Sequence, residues 1–137
     1  MSSMQANEYQ TLALITEFTP DFVRLKDKDG NDYSPEHNMM VARAIHACLG
    51  LASEVGEIAD ALKKHIIYSK ELDLINVMEE SGDISWYQAL LLTAVKKTMQ
   101  ESLEKNILKL KKRFGDKFST DAVNNRDLEG ERAILEK

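Results

Sequence analysis

The chain has 137 residues, 43% of them hydrophobic and 30% charged, which fits one soluble globular domain with its own core. A formal charge of −5 argues against general electrostatic attraction to nucleic acid or to an anionic membrane, so neither is expected as a partner. Six glycines and two prolines favour long helices over a strand-and-turn fold.

Cys48 is the single cysteine, so no intrachain disulfide can form, and its place in an apolar run predicts a buried structural thiol in a reducing, cytoplasmic setting. The N-terminus lacks a basic-then-apolar leader pattern, and the longest apolar run, Ala89 to Val95, is too short to span a bilayer.

Residues 7–18 predict a short first helix, with Tyr9, Leu12, Ala13 and Ile15 or Thr16 near helical spacing and Thr19-Pro20 ending it. Residues 19–36 are rich in Asp, Gly, Asn and Pro and predict a loop. Within it, the run from Asp27 to Asp32 is a plain turn, because Gly30 comes too early for a calcium loop and Asn38 stands where the closing Glu is needed.

A long helix is predicted over 37–69, entered through Ser34-Pro35-Glu36. Val41, Ile45, Cys48, Ala52, Val55, Ala59, Leu62 and Ile66 recur at three- and four-residue steps and predict its core face. Glu54 and Glu57 lie nearly opposite, in line with the small residues Ala47, Gly50 and Ala61, so the helix can be packed on two sides.

A third helix is predicted over 71–95, with Asn76, Glu80, Asp83 and Tyr87 on one line, and a fourth over 99–114, with Leu103, Ile107, Leu110 and Phe114 as its apolar face and Gly115 as its C-terminal cap. Asn106, Lys109 and Arg113 form a neighbouring stripe. Residues 116–137 are polar, with a last helix around 127–136.

Two acidic motifs carry the chemistry. Glu54-Val55-Gly56-Glu57 and Glu80-Ser81-Gly82-Asp83 each place two carboxylates three residues apart, on one face of a helix. If the two helices face each other, four carboxylates converge. At ~4 Å and an effective dielectric of about 20, each like-charge pair costs roughly 4 kcal/mol, which a cation relieves. All-oxygen ligands favour Mg²⁺, with Mn²⁺ as a substitute, over iron or zinc, and no Glu-x-x-His is present for a di-iron bundle. The glycine inside each motif admits a close neighbour. Beside such a cluster, Asn106, Lys109 and Arg113 can grip a polyphosphate. His46 and Trp86 read first as packing residues. Lys63 and Lys64 read as solvated.

The run from His46 to Glu57, followed by Asp60 and Lys63-Lys64, resembles the first motif of the MazG-like nucleotide pyrophosphohydrolases, and Glu79 to Tyr87 resembles their second. Asn106, Lys109, Leu110 and Arg113 are similar to the family's N-x-x-K-L-x-x-R segment, and Asn125 to Arg132 to the ending of short, single-domain, phage-type members. The resemblance runs from about Tyr9 to the C-terminus and is weakest over 19–36.

It implies an all-α, four-helix-bundle-like MazG fold in a single domain over 1–137, with its core at 7–115 and a tail at 116–137, assembled as a homodimer or a dimer of dimers. It implies Mg²⁺-dependent hydrolysis of a nucleoside triphosphate to the monophosphate and pyrophosphate. Glu54, Glu57, Glu80 and Asp83 would hold the metal and carry catalysis. Asn106, Lys109 and Arg113 would bind phosphate, and His46 and Trp86 would lie against the nucleoside. Two alternatives stay open: an enzyme narrowly specific for another nucleotide, of the dUTP, dCTP or phosphoribosyl-ATP type, and a non-catalytic helical module that docks a protein.

Overall fold

The structure, a computed structural model, describes residues 4–18 and 23–137. The expected helix stop at Thr19-Pro20 lies outside the described residues. Every regular element among them is helical, apart from one isolated antiparallel bridge between Lys26 and Asp32. The elements are α1 (Ala6–Ala13) with a 3₁₀ turn (Leu14–Thr16), α2 (Pro35–Tyr68), α3 (Leu74–Ala94), α4 (Met99–Phe114), α5 (Thr120–Asn124) and α6 (Leu128–Glu136). They form two compact units, Met1–Thr98 and Met99–Lys137. The helix that the sequence groups with the core at 7–115 thus forms a unit with the residues expected as a tail.

Local chemistry fixes the helix ends. The Ser34 hydroxyl accepts the backbone N–H of His37 at 3.1 Å, and Pro35 fills the first helical position, where its missing N–H has no partner to lose. The 34-residue α2 ends at Ser69, which takes a left-handed conformation at φ 52° while the Lys70 N–H bonds back to the Lys64 carbonyl at 3.2 Å. Asp73 caps α3, its carboxylate accepting from the N–H groups of Ile75 and Asn76 at 3.1 and 3.0 Å. In the 23–34 loop, Asp27 Oδ1 accepts from the N–H groups of Asp29 and Asn31, which makes a plain Asx turn of the segment. Buried Asn38 fastens this loop to α2 by accepting from Leu25 N at 3.0 Å.

In the first unit α2 and α3 pack side by side. As α2 is read backwards from Glu54 through Gly50 to His46, its neighbours on α3 advance from Glu80 and Asp83 to Trp86 and Tyr87, so the pair is antiparallel. Small residues dominate the buried positions of the pair: Ala42 and Ala47 on α2 and Ala89 and Ala94 on α3, with Leu90 the one large side chain among them, are at most 4% exposed. At Gly50 a Cβ would overlap the Tyr87 ring, so this glycine is what lets the tyrosine lie across α2.

This reverses the face expected as core. The stripe from Ile45 to Ile66 points away from α3, and Cys48 on it is exposed rather than buried. Both faces of α2 repeat with helical period, and periodicity does not say which one meets α3. The face of Ala42, Ala47 and Gly50 won because its small side chains admit the closer approach.

The first helix buries Gln10 against α3, where its amide donates to Thr93 Oγ1 at 2.7 Å and to the Lys97 carbonyl at 3.1 Å. At its end, Trp86 Nε1 donates to the Ala13 carbonyl at 2.7 Å and to Thr16 Oγ1 at 3.0 Å. Arg43 and Glu17 make a two-pronged pair at 2.5 and 2.7 Å.

The second unit pairs α4 with α6, with the short α5 between them in sequence. Its most deeply buried side chain is a charged one, Glu131 at 3% exposure, while Leu103 and Ile107 of the expected apolar face of α4 stay more than half exposed. Gly115, at φ 62°, ends α4 as expected, its N–H bonding to the Lys111 carbonyl at 2.8 Å. No helix among the described residues is long and apolar enough to cross a membrane.

Candidate metal centre

The two acidic motifs meet across the α2–α3 seam. One carboxylate oxygen from each of Glu54, Glu80 and Asp83 lies within 4.8 Å of the others. Glu54 comes from the middle of α2 and the other two from successive turns of α3, so three residues of two rigid helices make the group. Glu54 and Glu80 are half-buried, and Asp83 is exposed at the rim. Among the described residues, no lysine or arginine forms an ion pair with any of the three.

The electrostatic consequence falls on Glu54. Its carboxyl is pushed above the ordinary carboxylate range, first by removal from water, then by a hydrogen bond shared with Glu80 and by the charges of Glu80, Asp83 and Glu57. The chain gathers negative charge here without matching it. Three oxygens at this spacing, all hard donors, suit a Mg²⁺ ion, whose ligands sit at about 2.1 Å and so at most ~4.2 Å from one another.

Glu57, the fourth expected ligand, does not bring its carboxylate into this group. It is exposed on the next turn of α2 and reaches the site through its charge on Glu54. Two residues not assigned a role by the sequence support the group. The Asn76 side-chain amide donates to Glu80 Oε1 at 2.7 Å, which holds that carboxylate in place. Asn76 precedes Glu80 by four residues on α3, and that spacing was the available signal. Tyr9 of α1 donates to the Gly82 carbonyl at 3.3 Å, and its phenol titrates above its ordinary value, chiefly through burial and then through the charge of Asp83. Nothing in the sequence linked α1 to this motif.

The remaining candidates are placed as follows. His46 packs edge-on to the rings of Trp86 and Tyr87, with centroids 6.3 and 5.8 Å away, and its buried Nδ1 has no hydrogen-bond partner. Trp86 spends its N–H on α1, so its indole is fixed by the fold. Lys63 and Lys64 both pair with Asp60, which their hydrogen bonds bring down to about 2. Asn106, Lys109 and Arg113 lie on α4 in the second unit. There Arg113 holds Glu131 in a two-pronged pair at 2.8 and 2.5 Å, and Arg126 grips the same carboxylate. Glu131 is thereby held well below its usual range.

No protein-family model matches the chain, and neither the curated proteins nor the solved structures contain a match to it.

Proposed function

We propose that this chain is a Mg²⁺-dependent nucleoside triphosphate pyrophosphohydrolase of the MazG-like kind, which converts a (d)NTP to the (d)NMP and pyrophosphate. The observation that carries the reading is the convergence of Glu54, Glu80 and Asp83 on one point, with Glu54 destabilised by neighbours of its own sign. The likeness of both acidic motifs to those of the family supports it.

Glu54, Glu80 and Asp83 would hold the ion. When bound, Mg²⁺ supplies Lewis-acid stabilisation of phosphate oxygens and lowers the pKa of a bound water. Glu80, pinned by Asn76, keeps a fixed orientation. One of the site's carboxylates would accept the proton of the attacking water. Glu57 adds negative charge at the rim and favours cation entry. The phosphate-binding roles of Asn106, Lys109 and Arg113 rest on the sequence resemblance, as do the nucleoside contacts of His46 and Trp86 and a homo-oligomeric assembly.

The test is pyrophosphate release from the eight common NTPs and dNTPs, with Mg²⁺ and with EDTA, on wild type and Glu54→Gln. Metal-dependent release of pyrophosphate and monophosphate, lost in the variant, is the expected result. Orthophosphate as product would mean that another bond is cut. No turnover of any nucleotide, with no Mn²⁺ binding by titration calorimetry, would retire the enzyme reading in favour of a helical docking module.

A further inference from the structure

The first helix is bonded to α3 along one line. Tyr9 donates its hydroxyl to the Gly82 carbonyl at 3.3 Å, Trp86 Nε1 donates to the Ala13 carbonyl at 2.7 Å, and Gln10 Nε2 donates to Thr93 Oγ1 at 2.7 Å. Gly82, Trp86 and Thr93 follow one another at steps of four and seven, so they form one stripe of α3. Glu80 and Asp83, three residues apart, stand on the neighbouring stripe. Along the chain, Gly82 and Trp86 bracket Asp83, so α1 is fastened to α3 on both sides of this one carboxylate.

The bracketed segment is the softest part of α3. Gly82 weakens a helix interior, and a Cβ there would meet nothing within 4 Å, so packing does not call for the glycine. The Ser81 and Ser85 hydroxyls bond back to the Val77 and Ser81 carbonyls at 2.7 and 3.0 Å, a habit that loosens and bends helices. The three acids are held unequally. Asn76 fixes Glu80, and Glu54 shares a hydrogen bond with Glu80. Among the described residues, no side chain bonds to the carboxylate of Asp83, which is exposed at the rim. Asp83 therefore takes its position from the backbone that carries it, and Tyr9 grips that backbone at the adjoining peptide. The phenol is also close enough to feel the Asp83 charge.

We propose that Tyr9 is a positioning residue of the metal centre: through the Gly82 carbonyl it sets the backbone that bears Asp83, so that docking of α1 and binding of a divalent ion favour each other. This rests on an ion held by Glu54, Glu80 and Asp83, as in the proposed function. Linkage makes the effect reciprocal: if a docked α1 tightens ion binding, the ion must tighten the docking of α1 by the same factor.

Titration calorimetry with Mn²⁺ and amide exchange test it. Tyr9→Phe keeps the ring and removes only the hydroxyl, so without an ion its helical content and melting temperature are expected to match the wild type. Its affinity for Mn²⁺ is expected to fall about tenfold, as is typical when a group that orients a metal ligand is lost. In the wild type, saturating Mn²⁺ should slow exchange across α1, and in Tyr9→Phe most of that slowing should vanish. Asn76→Ala, which releases Glu80 instead, should weaken Mn²⁺ binding and still show α1 slowed by saturating ion. Tyr9→Phe binding Mn²⁺ as tightly as the wild type overturns the proposal, whether or not it melts earlier. So does a wild type whose α1 exchanges equally with and without the ion, or loss of the slowing in both variants alike. A wild type that binds no Mn²⁺ removes the metal centre itself, and this proposal with it.

Discussion

Each unit encloses a glutamate, Glu131 buried and Glu54 half-buried, and the two are treated in opposite ways. Glu131 of the α4–α6 unit sits between Arg113 and Arg126, its four contacts at 2.5–3.3 Å, and titrates far below an ordinary carboxylate. Glu54 of the α2–α3 unit sits against Glu80 and Asp83 and titrates above one. The first charge is compensated from within the chain and ties two helices together. The second is not, and the protein carries the strain of gathered like charge at the junction of its two longest helices. An acid matched by arginines of its own fold is held ionised, whereas one left facing other acids holds its proton more firmly.

The sharpest break in this comparison is removal of one triad carboxylate. Glu54→Gln, Glu80→Gln and Asp83→Asn are each expected to lower Mg²⁺-dependent turnover at least about 100-fold with the helical content intact, as judged by pyrophosphate release and circular dichroism. Glu57→Gln, outside the triad, should lose less, on the order of tenfold. Equal losses at Glu57 and Glu54 would place the fourth carboxylate on the ion after all.

Acid should separate the units next. Because the folded-state pKa of Glu131 is lowered, its stabilisation is full above its ordinary value of about 4.5 and is lost as pH falls through the lowered one. The pKa of Glu54 is raised, so without a divalent ion the first unit loses stability as pH rises from about 4.5 through that raised value. Mg²⁺ should remove the second dependence and leave the first, and Glu131→Gln should abolish the first alone. Thermal melts at several pH values, followed by amide exchange in each unit, read both.

A packing change comes third. Gly50→Val drives a side chain into Tyr87 and is expected to cost about 1–3 kcal/mol in denaturant unfolding. An unchanged midpoint would mean that the tyrosine does not lie across α2. The smallest effect is expected at the exposed Lys63–Asp60 pair, where Lys63→Ala should leave both the melting temperature and turnover almost unchanged.

The sequence determined the helices and the chemistry of their motifs. Ser34-Pro35 started α2 and Gly115 ended α4, because caps act through neighbours one to four residues away and so are written locally. The short α5 was missed, since its five residues carry too little periodic signal beyond the Ser119 cap. The spacing Glu-x-x-Glu and Glu-x-x-Asp put the acids on helix faces, but which of them converge was decided by the rotation of α2 against α3. That rotation was set by small residues at the seam, and it took Glu57 out of the group and turned Cys48 outward. Arg113 carried the signature of a phosphate ligand, and only the fold showed it clasped by a glutamate eighteen residues on. Local propensity and charge spacing are properties of one helix; the partner of each face is a property of two, and no periodicity within a single helix encodes it.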